Sequence, residues 1–253
     1  MLILLTNDDG VNSEGLVLLK NGLSQKHEVL AIAPERERTC TGHAITIHKP
    51  LRIKEIGGGI FSSNGTPADC ILLGVRVLLR NKKPDIVISG INKGPNMGRD
   101  VNYSGTVAAA KEGALLGINS VAVSMSTGEH YLFDDAVGVV IDIIEKIENI
   151  SFPEHTFLNV NIPNIQRHML KGFMVTSLGK RIYNDTVIER IDPRGHSYYW
   201  IGGNGVSHEV VAGTDFFAIE NNYVSVTPLD VDITSNSSVD LFNKYFGAGK
   251  DID

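Results

Sequence analysis

Asp8 and Asp9 stand side by side at the end of an apolar run, in Thr6-Asn7-Asp8-Asp9-Gly10. Two carboxylates that share a site repel each other unless a cation sits between them, so the pair is a candidate metal site. Thr39 lies in the polar loop after the next apolar segment, and Asn92 in the glycine- and amide-rich stretch from Gly90 to Thr106. Asp8, Asp9, Thr39 and Asn92 all offer oxygen, a donor set that suits Mg²⁺ or Mn²⁺ and makes a poor zinc site. Ser104, Gly105 and Thr106 lead into an alanine-rich helical stretch, Val107 to Leu116. Free amides and two hydroxyls at a helix N-terminus form a seat for phosphate, and Ser104 acting only as a helix cap is the alternative. A metal beside a held phosphate polarises P–O bonds and activates water, which is phosphomonoester hydrolysis.

Other chemistries lack their residues. The eight histidines are scattered, with no HxH or HExxH spacing, which argues against a histidine-held transition metal. His43 lies in the Thr39 loop, where it either touches substrate or is solvated. There is no GxxxxGK[ST] loop, G-x-S-x-G elbow or cysteine-nucleophile motif. A signalling receiver domain also carries an acidic pair after its first strand and is the competing reading, a regulatory protein that binds metal and phosphate without turnover. Its phospho-acceptor would end the strand that starts near Asp85, but that strand ends in Ser89-Gly90. Haloacid-dehalogenase-like phosphatases need an Asp-x-Asp pair, whereas Asp8 and Asp9 are contiguous.

The elements that must position these residues follow from the patterning. Leu2 to Leu5 reads as a buried strand, Asn12 or Ser13 caps a helix to about Ser24, and Val29 to Ala33 is a second strand. Strand, helix and strand make a right-handed βαβ unit, so the fold class is α/β with a mostly parallel sheet. Loops at its carboxyl edge are where such sheets keep ligands. Glu35 to Thr46 is a loop at that edge, His48 to Ile56 an antiparallel or edge strand, and Gly57 to Gly59 a turn. Thr66-Pro67-Ala68-Asp69 starts a helix, and Asp85 to Ser89 is a buried strand. Further strands are expected at Asn119 to Ser124, Phe157 to Asn161 and Phe173 to Ser177, with a helix at Asp134 to Ile147. Asn159 and Asn161 read as a sheet margin. Arg181 to Ile201 reads as a long hairpin turning at Asp192-Pro193-Arg194-Gly195, whose exposed Tyr198, Tyr199 and Trp200 predict an oligomer contact. A short helix at Thr214 to Glu220, a strand at Tyr223 to Val226 and a last helix at Ser237 to Phe246 complete the chain.

Composition sets outer limits. With 42% hydrophobic and 21% charged residues, the 253-residue chain has the makings of a folded core. A net charge of -6 argues against a nucleic-acid polymer as partner. Two distant cysteines imply no disulfide framework, and no apolar run approaches a membrane span, so a cytoplasmic protein without membrane attachment is expected.

Several motifs together resemble the SurE family of 5'/3'-nucleotidases. They are LLTNDDG at 4–10, GTPADC at 65–70, SGIN-x-G-x-N-x-G at 89–98 and DVNYSGTVAAAKEG at 100–113, with DPRG at 192–195, YYWIGG at 198–203, GTD at 213–215 and YVSVTPL at 223–229. The resemblance implies a Rossmann-like catalytic core, residues 1–178, and a segment 179–253 that forms the hairpin and oligomerisation elements, part of it returning to the core. It implies hydrolysis of nucleoside monophosphates with one divalent ion per subunit, Mg²⁺ or Mn²⁺, with Ca²⁺ able to substitute in a crystal. It also implies a homodimer that exchanges C-terminal elements, and leaves open whether dimers pair into tetramers. Position by position, Asp8, Asp9, Thr39 and Asn92 fall on the metal ligands, and Asn96, Ser104, Gly105 and Thr106 on the phosphate-contacting loop. The chain departs from the family at Arg38-Thr39-Cys40-Thr41-Gly42, where serine and then Gly-Ala-Ser usually follow the arginine.

Overall fold

The computed structural model describes residues 1–80, 82–182, 187–201 and 207–246. Strand β1 (Leu2–Thr6) is buried along its whole length, as a strand covered on both faces must be. It pairs in parallel with β2 (Glu28–Pro34) on one side, across helix α1 (Glu14–Leu23). Beyond β2 lie β3 (Ile53–Gly57) and β4 (Ile60–Ser63), an antiparallel pair that places β3 at the sheet edge, as expected. Strand β4, parallel to β2, was not anticipated: four residues are too few for a period to register.

On its other side β1 pairs in parallel with β5 (Ile86–Lys93), followed by β6 (Asn119–Met125) and β7 (Thr156–Ile162). Strand β8 (Phe173–Val175) forms the far edge. The return strand β13 (Val224–Asp230) inserts between β7 and β8, antiparallel to the former and parallel to the latter. Among the described residues, nine strands thus form one sheet, ordered β3-β4-β2-β1-β5-β6-β7-β13-β8.

Two corrections follow. Strand β5 runs on to Lys93, with a register irregularity between Ser89 and Asn92, so Asn92 lies on a strand and the loop proper starts at Gly94. Strand β7 is no margin, because it is paired on both sides and Asn159 and Asn161 are fully buried.

Alternation along β1 divides the core. Ile3 and Leu5 face α1 and α4 (Phe133–Ile147), packing with Leu16, Leu19 and Val140. Leu4 faces the opposite layer, α2 (Pro67–Leu73) and α3 (Gly105–Leu115), with Ile71 and Ala109. Helix α2 starts in a capping box: Thr66 Oγ1 accepts from Asp69 N (3.1 Å), and Asp69 Oδ2 accepts from Thr66 N (2.8 Å).

The expected hairpin is present. Strands β10 (Val187–Ile191) and β11 (Ser197–Ile201) pair antiparallel, and the short β9 (Arg181–Ile182) and β12 (Ser207–His208) pair at their base. Its turn is held by Asp192, whose Oδ1 accepts from the N–H groups of Arg194 (2.8 Å) and His196 (2.9 Å). All ten residues of β10 and β11 are exposed. Helix α5 (Asp215–Glu220) is capped by Thr214, and α6 (Asn236–Phe246) buries none of its residues. Residues 183–186 of the expected hairpin and 247–253 of the C-terminal segment lie outside the described residues.

Candidate active site

Strands β2, β1 and β5 are adjacent and parallel, so the loops leaving their carboxyl ends meet at one rim. The strand order reverses at β1, and a crevice opens where the chain leaves to opposite sides. The acidic pair sits at this point. Asn7 bends the chain there: its Oδ1 accepts from Gly10 N (3.2 Å), and its Nδ2 donates to Gly10 O (3.1 Å) and Ser13 Oγ (2.5 Å). Gly10 completes the bend at φ +99°, with Arg36 backbone so close that a Cβ would lie 3.2 Å from its carbonyl carbon.

Backbone hydrogen bonds draw the other two loops to the acids. Arg38 N–H donates to Asp8 O (2.7 Å), which brings the residue before Thr39 against the pair. Lys93 N–H donates to Asp9 Oδ2 (3.3 Å), one residue past Asn92. The Thr39 hydroxyl donates to the Glu37 carboxylate, and Asn92 Nδ2 donates to Gly94 O (2.8 Å). Cys40, where the family usually has glycine, takes the left-handed conformation at φ +58°.

The phosphate-seat residues divide between tasks. Ser104 caps α3, its Oγ accepting from Val107 N (3.1 Å), and its own hydroxyl proton is left to donate. Thr106 is fully buried and donates its hydroxyl to Asp8 Oδ1. Gly105 packs so tightly on Asp8 that a Cβ would lie 2.8 Å from the Asp8 Cβ and 2.9 Å from its Oδ2. The N-terminus of α3 therefore abuts the acidic pair directly. Asn96 is anchored from behind: its N–H donates to Asn161 Oδ1 (2.8 Å), and its carbonyl accepts from Asn159 Nδ2 (2.8 Å) and Asn161 Nδ2 (2.9 Å). Its own Nδ2 donates to Ser124 Oγ (2.7 Å).

Sequence reasoning missed Asn159 and Asn161 as supports of this loop. The available signal was two amides two residues apart in a strand, which share a face and, once buried, require partners. It also missed Asp215, fully buried, which accepts from Gly98 N (2.7 Å) and Gly179 N (2.8 Å) and so ties the loop to the C-terminal segment.

The electrostatics fit a cation. Burial raises the Asp8 pKa above the ordinary carboxylate range, against the Thr106 hydroxyl and the amides of α3, which lower it. Burial, and then the charge of Asp8, push Asp9 up to about 6, while the Lys93 N–H works the other way. A bound divalent ion relieves both repulsion and desolvation. Among the described residues no three His, Cys, Asp or Glu side chains cluster for a metal. Thr39 and Asn92 carry neutral oxygens on the two segments tied to the pair, the Thr39 hydroxyl being turned to Glu37. A cavity of about 360 Å³ opens beside Asp9, lined among others by Asn12, Arg36, Glu37 and Lys93.

The family described as "Survival protein SurE" matches residues 3–185. The chain belongs to the SurE family. It is 44% identical to the 5'-nucleotidase SurE of Citrifermentans bemidjiense over 248 residues, covering 97% of this chain and 99% of that one. It is 46% identical to the 5'-nucleotidase SurE of Aquifex aeolicus over 233 residues, covering 92% and 93% of the two chains. The crystal structure of a SurE protein from Aquifex aeolicus superposes with a TM-score of 0.88 at 43% identity, covering 96% of this chain and 99% of that one. The SurE fold thus extends over the C-terminal segment as well as the core.

Proposed function

We propose that this protein is a 5'-nucleotidase, a divalent-metal-dependent phosphomonoesterase that hydrolyses nucleoside 5'- and 3'-monophosphates to nucleoside and phosphate. One observation carries the reading: the N-terminus of α3, a seat for an anion, is in contact with Asp8 of the acidic pair. The names of the relatives support the substrate class.

Asp8, Asp9, Thr39 and Asn92 would hold the ion, Mg²⁺ or Mn²⁺. When bound, it supplies charge neutralisation at the phosphoryl oxygens and lowers the pKa of water. The chain's own residues do the rest. Asp8 is fixed by Thr106, while the less buried Asp9 borders the cavity, where it can exchange a proton with water. Ser104 donates its hydroxyl to the phosphate, and the amides of Gly105 and Thr106, which also reach the Asp8 carboxylate, face the same seat. Asn96, whose backbone the β7 amides hold still and whose Nδ2 also donates to Ser124, is the further phosphate contact of this reading.

In this reading residues 1–178 carry the chemistry and 179–253 carry assembly. Exposed Trp200 and Ile201 on β11, with Phe242 and Phe246 on α6, are apolar surfaces suited to a second copy exchanging C-terminal elements. Among the described residues no helix is long and apolar enough to cross a membrane. The reading places the enzyme in the cytoplasm, where cysteines stay free as Cys40 and Cys70 are.

The test is phosphate release from nucleoside monophosphates in Mn²⁺ or Mg²⁺. Turnover disappears in EDTA, returns on adding metal and is lost in Asp9→Asn; full turnover in EDTA would remove the mechanism.

A further inference from the structure

The Thr39 loop meets helix α3 through a hydrogen-bonded side-chain pair further along the helix than the acids. His43 Nε2 lies 2.7 Å from Glu112 Oε2. Glu112 is only 8% exposed, on a helix whose other buried residues are almost all small and apolar. A buried carboxylate is costly unless paired, and His43, 69 positions earlier, provides the partner. The loop's neighbouring ties involve its backbone: Gly42 N–H to Tyr103 O (3.0 Å), Thr66 Oγ1 to Ala44 O (2.7 Å) and Thr46 N–H to Asp69 Oδ1 (2.9 Å).

These contacts close a ring. Thr106 at the start of α3 holds the Asp8 carboxylate, and Arg38 of the loop donates to the Asp8 carbonyl. Glu112, six residues along the same helix and so about 9 Å from Thr106, returns to the loop through His43. Helix and loop are thereby fixed to each other at two ends, with Asp8 at one and the His43–Glu112 pair at the other.

We propose that His43 and Glu112 are positioning residues for the candidate metal centre, setting how far the Thr39 loop stands from α3 and hence from Asp8 and Asp9. The proposal rests on the metal-dependent reading above.

Calorimetric titration with Mn²⁺ tests it without turnover. His43→Ala and Glu112→Ala each weaken Mn²⁺ binding about tenfold, the lower end of what loss of an outer support costs a metal site. The double variant is no worse than either single one, because the two act as a unit. His43→Gln, which can still donate to Glu112, recovers most of the affinity. Glu112→Gln keeps the bulk and gives an intermediate loss, so the comparison survives if an alanine variant does not fold. In turnover assays the metal needed for half-activation rises while KM for the nucleotide at saturating metal stays put. Wild-type Mn²⁺ affinity in His43→Ala, losses that multiply in the double variant, or a raised KM with unchanged metal affinity would each overturn the positioning role alone. A wild-type protein with no affinity for Mn²⁺ would overturn the metal reading and this role with it.

Discussion

Thr106 donates its hydroxyl to the Asp8 carboxylate across 98 positions of sequence, from the first turn of α3 to the bend that follows β1. The bond joins the N-terminus of α3, the proposed anion seat, to the acidic pair. In Thr106→Val, a change of similar volume, Asp8 loses this donor. Phosphate release in Mn²⁺ falls about 10- to 100-fold, as for loss of a partner that orients a metal ligand, and Thr106→Ser keeps most of it. Valine at wild-type rate would show that the hydroxyl orients nothing.

The amides of β7 support the proposed phosphate loop through buried hydrogen bonds to Asn96. Asn161→Ala leaves the Asn96 N–H without its acceptor and removes one donor to its carbonyl. An unsatisfied buried group costs about 1–3 kcal/mol, which lowers Tm by several degrees, at about 2–4 °C per kcal/mol for a chain of this size. A thermal scan of the metal-free variant measures it.

Asp9 gives a pH dependence whose sign follows from its shift. Its pKa rises from the ordinary 3.8 to about 6 on folding, so between those values the folded protein binds more protons than the unfolded chain. Stability of the metal-free protein from this group therefore falls as pH climbs from about 4 to 6, and the loss is complete above that. In EDTA, Asp9→Asn gains on the wild type over this window. Parallel curves for the two proteins would contradict the shift.

Metal restores what ionisation removes. Mn²⁺ at 100 times its Kd adds about 2.7 kcal/mol to the folded state, a rise in Tm of about 5–10 °C for a chain of this size. Asp9→Asn abolishes most of the rise, and an equal rise in variant and wild type would place the ion elsewhere.

Assembly has its own readout. Phe242 and Phe246 are 55% and 82% exposed on α6 and lie side by side with tilted rings, centroids 6.2 Å apart. Changing both to aspartate shifts the mass measured by light scattering from dimer toward monomer. A wild-type protein already monomeric at micromolar concentration would refute the proposed exchange.

Much of the architecture was legible from local pattern. The apolar run of β1, the Ser13 and Thr66 helix starts, the Asp192-Pro193-Arg194-Gly195 turn and the amphipathic α4 each carry their signal within a few neighbouring residues. So does the candidate site as a set of residues, because hard-cation donors and an anion-binding helix start are recognisable by type. Asn159 and Asn161 misled for a physical reason: polar residues in a strand read as exposed unless a partner distant in sequence satisfies them. Asn92 misled in a milder way, since glycines on both sides suggested a loop where β5 in fact continues past an irregularity.

The sequence by itself determined most of the alternation of strands and helices, though not β4, together with the oxygen-rich residue types of the rim and membership of the SurE family. Only the tertiary structure decided which hydroxyl holds Asp8, which amides hold Asn96, that Glu112 meets His43, and that burial lifts Asp9 to about 6. Periodicity is a property of neighbours along the chain. Hydrogen-bond partners and desolvation are properties of neighbours in space, and these exist only once the strands have paired in register and the helices have packed across them.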